Sequence, residues 1–424
     1  MEVRDPIHGA IRLTASETDV VDHPFVQRLR NIRQTGFSYL PFPGATHSRY
    51  SHCVGVMELA GRAFDSAYRD WSFSSVERRE ELRSSVRLAA LCHDLGHAPF
   101  SHCTEFAMPP LRQLGISWYG ETEPARLATH EDYTIAILER SSLATTIRDG
   151  FACSSRHIAA LVHRDVTVPD DFFMDGGVDH RRALSQLVSS ELDCDRMDYL
   201  VRDSHYSGAR YGAIDTDWLI SNLVAHPVGD EVGLGLDESA IYAFDDFLVA
   251  RHHMFLMVYF HHNSVIYEEM LRRWVTSSDN AWAIPASLDE YLHVDDISLS
   301  IVLRESADSF ARRLVERRPF KRVVERHGTP EDVDLSTAEE TLLDAGIDVI
   351  HSTSTGRLSR YVQHRGKRES APAILVLERS GGQRPLTDAS RVFDRYKDAR
   401  RIARLYVAPE DRPRAARVLG VPLQ

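Results

Sequence analysis

An apolar helical run that ends in ionisable side chains constrains this chain most. Val86, Leu88, Ala89, Leu91 and Cys92 lead into Cys92-His93-Asp94-Leu95-Gly96-His97-Ala98-Pro99-Phe100-Ser101-His102. Gly96 and Pro99 stop the helix at that point. A run this apolar is buried on most sides, so it carries His93 and Asp94 inward, where polar groups need partners. Neighbouring helical residues diverge by about 100°, so an adjacent His and Asp reach one ion only at a helix end. The pattern points to a hydrolytic metal site completed by other segments.

Two further helices offer those segments. One is predicted over Ser51–Tyr68, with Val56, Leu59, Ala63 and Phe64 at helical spacing and His52 in its first turn. Another is predicted over residues 181–205. Its Leu184, Leu187, Val188 and Leu192 face inward, and Glu191, Asp193, Asp195, Asp198 and Asp203 gather toward its C-terminal half. Asp195, Asp198, Tyr199, Arg202 and Asp203 form one helical stripe. Residues 239–276 read as long aromatic-rich helices. From about Arg318 the pattern changes to short β-rich runs at Ile347–Ser352, Ala373–Leu377 and Ala403–Val407, with a turn at Ser380-Gly381-Gly382. An Arg-rich helix is expected near 388–401. Its Arg391, Arg395, Arg400 and Arg401, with Arg404 just beyond, read as a solvated face or an oligomer contact. The expected architecture is mainly α, with a helical core over 1–318 and a smaller α+β lobe over 319–424.

Composition narrows the function. The 424 residues are 43% hydrophobic and 26% charged, with a net charge of −12. That balance supports a sizeable core and argues against a protein that coats nucleic acid. The odd count of five cysteines contains no CxxC spacing, as expected for reduced thiols; four of them adjoin candidate site residues and read as packing behind a metal shell. Nothing at the N-terminus resembles a leader, and no run approaches a membrane span, so a cytoplasmic protein is expected. There is no GxxxxGK[ST], which excludes a P-loop NTPase, and no strand-borne GxGxxG.

The order of a single His, an HD pair and a distant Asp resembles the HD-domain phosphohydrolases. Arg49-Tyr50-Ser51-His52, the His93–His102 segment, His130-Glu131 and Asp195 to Asp203 resemble more closely the deoxynucleoside triphosphate triphosphohydrolases, the dGTPase-like branch that includes the animal sterile-alpha-motif/HD-domain enzyme. Asp5-Pro6-Ile7-His8-Gly9 and Gln27 to Gln34 belong to the same pattern. The likeness is good over residues 3–275 and loose beyond. It implies an HD-domain helical core and conversion of a dNTP to deoxynucleoside and inorganic triphosphate. It implies His52, His93, Asp94 and Asp195 as metal ligands, with Asp193 the rival to Asp195. That donor mix suits Fe, Mn, Zn, Ni or Co, with Mg²⁺ arriving on the phosphates.

The same resemblance implies His102 as general acid, His97 and His130 on phosphate, and Glu131 orienting His130. It implies Arg196 on phosphate, Arg49 on the α-phosphate or base face, and Tyr199 and Asp203 at the sugar. Gln34 with Asp203 would hold the 3′-hydroxyl. Arg251, Tyr259 and His261 match pocket positions, with Tyr259 excluding a 2′-hydroxyl. Thr35 stands where the animal enzyme has a larger apolar residue, which opens the sugar wall. Asp22, Gln27 and Arg30 match an allosteric nucleotide site, which suggests an activating nucleotide and assembly to a dimer or tetramer; Glu2 and Arg4 depart from the chemistry of the animal enzyme's activator site, so constitutive or differently regulated activity is expected. Other HD phosphohydrolase activities (nucleotidase, phosphodiesterase or nuclease) stay open.

Overall fold

The computed structural model describes residues 1–119, 125–277, 282–328, 332–356, 374–390, 392 and 400–422. The helical part runs α1 (Ala15–Val21), α2 (Pro24–Arg28), α3 (Arg49–Ala67), α4 (Val76–Cys92), α5 (His130–Arg140), α6 (Leu143–Gly150), α7 (Ser155–Val162), α8 (Arg181–Val188), α9 (Cys194–Ser207), α10 (Thr216–Ser221), α11 (Ile241–Met254) and α12 (His262–Thr276). Local signals set the ends. Ser75 accepts from the Arg78 N–H at the start of α4, and Thr129 and Asp132 form a capping box at the start of α5.

Helices α3 and α4 form the centre of the core. Val56, Leu59, Ala60, Ala63 and Phe64 of α3 are fully buried with Val86, Leu88, Ala89, Leu91 and Cys92 of α4. α9 crosses α3, and the crossing is close because Gly55 has no side chain. A Cβ there would lie 2.3 Å from both Arg202 Nη2 and Asp198 Oδ1.

The expected single helix over 181–205 is instead two, α8 and α9, separated by Ser189–Asp193. Asp193 is the reason: its carboxylate accepts from the Arg196 N–H and so starts a new helix. The aromatic region 239–276 is α11 and α12, joined through a π-helical turn at Phe255–Tyr259.

Past residue 318 the chain forms a three-stranded antiparallel sheet, with Arg400–Val407 between Lys321–Gly328 and Val349–Gly356. The expected Arg-rich helix is not what Arg400, Arg401 and Arg404 form; they lie on the central strand. Arg391 and Arg395 lie outside the described residues. Arg404 is buried, with Nε 2.5 Å from Glu325 and Nη2 donating to the Phe260 carbonyl at 2.8 Å. Its β-branched and aromatic neighbours Ile402, Tyr406 and Val407 favour a strand. The C-terminal segment also returns to the core: Leu375–Leu377 adds parallel to Glu231–Asp237, which pairs with Leu223–Val228. Among the described residues no helix is long and apolar enough to cross a membrane. All five cysteines are buried and free.

Candidate metal centre and active site

His52 opens the first turn of α3, His93 caps the C-terminus of α4, and Asp195 lies in the first turn of α9. These helix ends converge. His52 Nε2 lies 3.0 Å from Asp195 Oδ1 and 3.7 Å from Asp94 Oδ2. His93 Nε2 lies 3.4 Å from Asp94 Oδ1 and 3.6 Å from Asp195 Oδ1. Asp193 turns away to cap α9 and pairs with Arg196.

The ring nitrogens are poised as ligands. His93 Nδ1 meets the Ala90 carbonyl at 2.7 Å, and a carbonyl can only accept, so Nδ1 carries the proton. His52 Nδ1 meets Asp198 Oδ2 at 2.7 Å in the same sense. Both Nε2 atoms then present lone pairs, and both are buried without a hydrogen-bond partner. His52 Nε2 comes within reach of Asp195 without making a well-directed hydrogen bond. Orphaned imidazole nitrogens beside two carboxylates fit a divalent transition ion. Burial alone would keep His52 neutral, yet Asp195 and Asp198 raise it to about 10, so without an ion a proton occupies Nε2, and a bound cation would take that proton's place and leave the lone pair as its ligand. Burial likewise opposes ionised Asp195, and His52 and His93 overcome it, holding the carboxyl well below its ordinary range.

Support extends outward from His52. Asp198 accepts from His8 Nε2 at 2.6 Å and from Arg202 Nε and Nη2 at 2.8 and 2.9 Å, and Arg202 donates to Asp5 at 2.8 Å. The β-hairpin of Glu2–Asp5 and Gly9–Arg12 therefore braces the centre. The helical stripe from Asp195 to Asp203 thus does not all face one ligand: Asp198 and Arg202 point behind the site, where both are fully buried.

Three imidazoles stand on the other side of Asp94. His97 stacks on His130 with centroids 4.0 Å apart, and His102 meets them edge-on at 4.8 and 5.2 Å. His97 Nε2 lies 3.2 Å from Asp94 Oδ1. Burial first, then Arg49 and His130, push His97 well below its usual range and keep it neutral. Glu105 holds the other two through Nδ1, His130 at 2.6 Å and His102 at 3.0 Å. Glu131 is not the partner of His130: it points to His163 at 3.8 Å, because adjacent helical residues diverge. Glu105 stands three residues after His102, a spacing that would have suggested the contact. His102 is the open member, with its side chain 64% exposed into the cleft. Phe100 and Ser101 are held at φ 55° and 60°, a left-handed turn that swings His102 to the cavity and lets Ser101 Oγ accept from Arg49 Nε at 2.8 Å. Arg49 also pairs with Asp94.

A cavity of about 580 Å³ joins these groups. Its lining includes Gln34, Arg49, Arg196, Tyr199, Asp203, Arg251 and Tyr259. Tyr259 donates to Asp203 at 2.6 Å, and His47 Nε2 donates to the same carboxylate at 2.7 Å. Arg251 stands 3.8 Å from Glu191. His261 does not line the cavity; it caps α12, with Nδ1 accepting from Asn263, and packs on Phe42. Glu268, Glu269 and Ser352 to Thr355 do line it and were not foreseen. Away from the cavity, Gln27 donates to the Val21 carbonyl at 2.8 Å and accepts from Arg30 at 2.7 Å. Arg30 lies 3.6 Å over the Tyr50 ring, and Asp22 ends α1.

The helices and the His and Asp side chains they bring together follow the pattern of an HD domain. Residues 49–203 match the HD domain family, so the chain carries an HD domain; residues 214–346 match the HD associated region. An uncharacterized protein of Methanocaldococcus jannaschii is 28% identical over 76% of this chain and 59% of its own length. The human deoxynucleoside triphosphate triphosphohydrolase SAMHD1 is 30% identical over 49% of this chain and 33% of its own length. The chain thus spans less than two thirds of the length of either relative. A hypothetical protein from Aquifex aeolicus shares the fold over 99% of both chains, with TM-score 0.75 and 24% identity.

Proposed function

We propose that this chain is a metal-dependent dNTP triphosphohydrolase that releases deoxynucleoside and inorganic triphosphate. The observation that carries the reading is one cavity lined by His93, Asp94 and Asp195 of the candidate metal centre together with three imidazoles and three arginines. Its size is in the usual range for small-molecule sites. The likeness to the human dNTP enzyme supports the substrate class.

His52, His93, Asp94 and Asp195 would hold the ion. A divalent transition metal supplies Lewis-acid activation of water at neutral pH, and Mg²⁺ would arrive with the phosphates. The remaining work falls to the chain. Arg196, Arg251, His97 and His130 bind phosphate oxygens. Arg49 neutralises Asp94 and faces the α-phosphate. His102, with Nδ1 on Glu105, presents Nε2 to the cleft and protonates the leaving 5′-oxygen. Tyr199, Tyr259, Asp203 and Gln34 receive the deoxyribose; Tyr259, tied to Asp203, crowds a 2′-hydroxyl. Assembly into a dimer or tetramer belongs to the same reading, with any nucleotide site at Asp22, Gln27 and Arg30 regulated differently from that of the animal enzyme.

Incubation of metal-loaded protein with each dNTP and NTP, with mass-resolved products, tests it. Deoxynucleoside plus triphosphate is expected. Pyrophosphate plus monophosphate, or untouched dNTPs with turnover of another phosphate ester, would replace this reading.

A further inference from the structure

The turn that presents His102 is held in a conformation its residues do not favour. Phe100 and Ser101 lie at φ 55° and 60°, and neither is glycine. Such a backbone is strained and persists only where its surroundings impose it. Those surroundings include a buried carboxylate that takes no part in holding an ion or binding phosphate. Asp296 opens the helix Asp296–Glu305, within the HD associated region, and is 5% exposed. Its Oδ1 accepts from the Phe100 N–H at 2.6 Å, and its Oδ2 accepts from the Arg33 N–H at 3.1 Å. Ser101 Oγ in turn donates to the Arg33 carbonyl at 2.6 Å. The hydrogen bonds therefore close a ring from Asp296 through Phe100, Ser101 and Arg33 back to Asp296. His102 leaves this ring on one side and Gln34 on the other, and Arg49 joins it through Ser101 Oγ.

The chemistry of the ring explains why its centre is an aspartate. Two N–H donors from separate segments converge on one side chain. A carboxylate offers an acceptor oxygen to each, whereas asparagine would turn its NH2 toward one of them. An ionised group costs more to bury than an amide, so double acceptance is what justifies the charge. Burial raises the Asp296 carboxyl to about 6, against the Phe100 and Arg33 N–H groups and the Arg33 guanidinium 3.6 Å away, which lower it. Asp295 and the Cys103 thiol are the other titratable groups beside it. Asp295 is engaged elsewhere, capping the helix at the Ser298 N–H and accepting from Asn31 at 2.9 Å.

The rest of the segment is gripped from the same side. Tyr291 Oη donates to the Gly96 carbonyl at 2.8 Å. Arg28 Nη1 donates to the His97 carbonyl at 2.9 Å, and its Nε donates to the Val294 carbonyl at 3.0 Å. We propose that Asp296 is a positioning residue: it locks the Phe100–Ser101 turn to Arg33 and so sets the His102 imidazole in the cleft. The proposal rests on the reading of His102 as the proton donor and adds to it the residue that places that donor.

A double-mutant cycle tests it, with full-length, metal-loaded protein at pH 8 and the dNTP that is hydrolysed fastest. Asp296→Asn is expected to lower kcat by about tenfold or more in the natural chain, and by less than about twofold when added to His102→Ala, with metal content unchanged. A loss of equal size in both backgrounds, no loss in the natural chain, or a rate that falls together with bound metal overturns the proposal. If Asp296→Asn fails to fold, Asp296→Glu, whose longer arm displaces both oxygens, runs through the same cycle and is judged by the same outcomes. If no dNTP is hydrolysed, the dNTP reading fails instead, and the placement of His102 is read directly. In ¹³C-histidine-labelled protein the His102 ring signal, identified by its loss in His102→Ala, should move in Asp296→Asn while those of His157 and His180 stay. An unmoved His102 signal, or equal movement of all three, overturns the proposal.

Discussion

At the scale of single residues the site divides into groups that would hold an ion and groups that would handle a proton. Asp94 stands between them, within 3.7 Å of His52, His93 and His97 and paired with Arg49. Asp94→Ala is expected to lose both bound metal and turnover, whereas His102→Ala keeps the metal and loses at least about a hundredfold in kcat. Metal quantified in the same preparations as the rates checks this, and equal metal loss in both variants would undo the division. Glu105 makes the proton-handling pair one unit, because one carboxylate fixes two imidazoles. Glu105→Gln should leave metal content unchanged and lower kcat by about tenfold or more, since a misoriented imidazole is a poor acid. Steady-state rates beside metal content measure it.

At the scale of elements the centre depends on how closely α3 and α9 cross. A methyl group on Gly55 would collide with Arg202 and Asp198, the pair behind His52. Gly55→Ala is expected to destabilise by ~1–3 kcal/mol and to weaken metal binding by about tenfold, because it moves a buttress of a ligand. Thermal melts of metal-free and metal-loaded protein separate the two effects. The helices that bring His52, His93 and Asp195 together were legible from apolar periodicity, since α3 and α4 are buried over most of their length. The break at Ser189–Asp193 was not. An acidic residue inside a periodic run reads as a helical face until its side chain is seen capping a new helix. The Glu105 clamp and the His8–Asp198–Arg202–Asp5 chain are contacts across the fold that no local spacing announces, Glu105 partly excepted. The sheet position of Arg404 was missed for a related reason: its charge is met by Glu325, far away in sequence.

At the scale of the whole molecule the C-terminal sheet is tied to the helical core through Arg404, Glu325 and the Phe260 carbonyl, with Tyr406 donating to the His262 carbonyl at 3.2 Å. Burial opposes an ionised Glu325, but Arg404, His327 and Arg322 win and lower it to about 2. A carboxyl depressed in the folded state adds stability that is complete above its unfolded value near 4.5 and is lost as pH falls toward 2. The melting temperature of the natural chain should therefore drop more steeply below pH 4.5 than that of Glu325→Gln, and parallel curves would contradict the assignment. That tether matters because the strand it anchors supplies Ser352 to Thr355 to the cavity. The ribosome delivers His52, His93, Asp94 and Asp195 long before it delivers that strand. The four residues that would hold an ion are thus all made while one side of the reaction chamber is still unwritten.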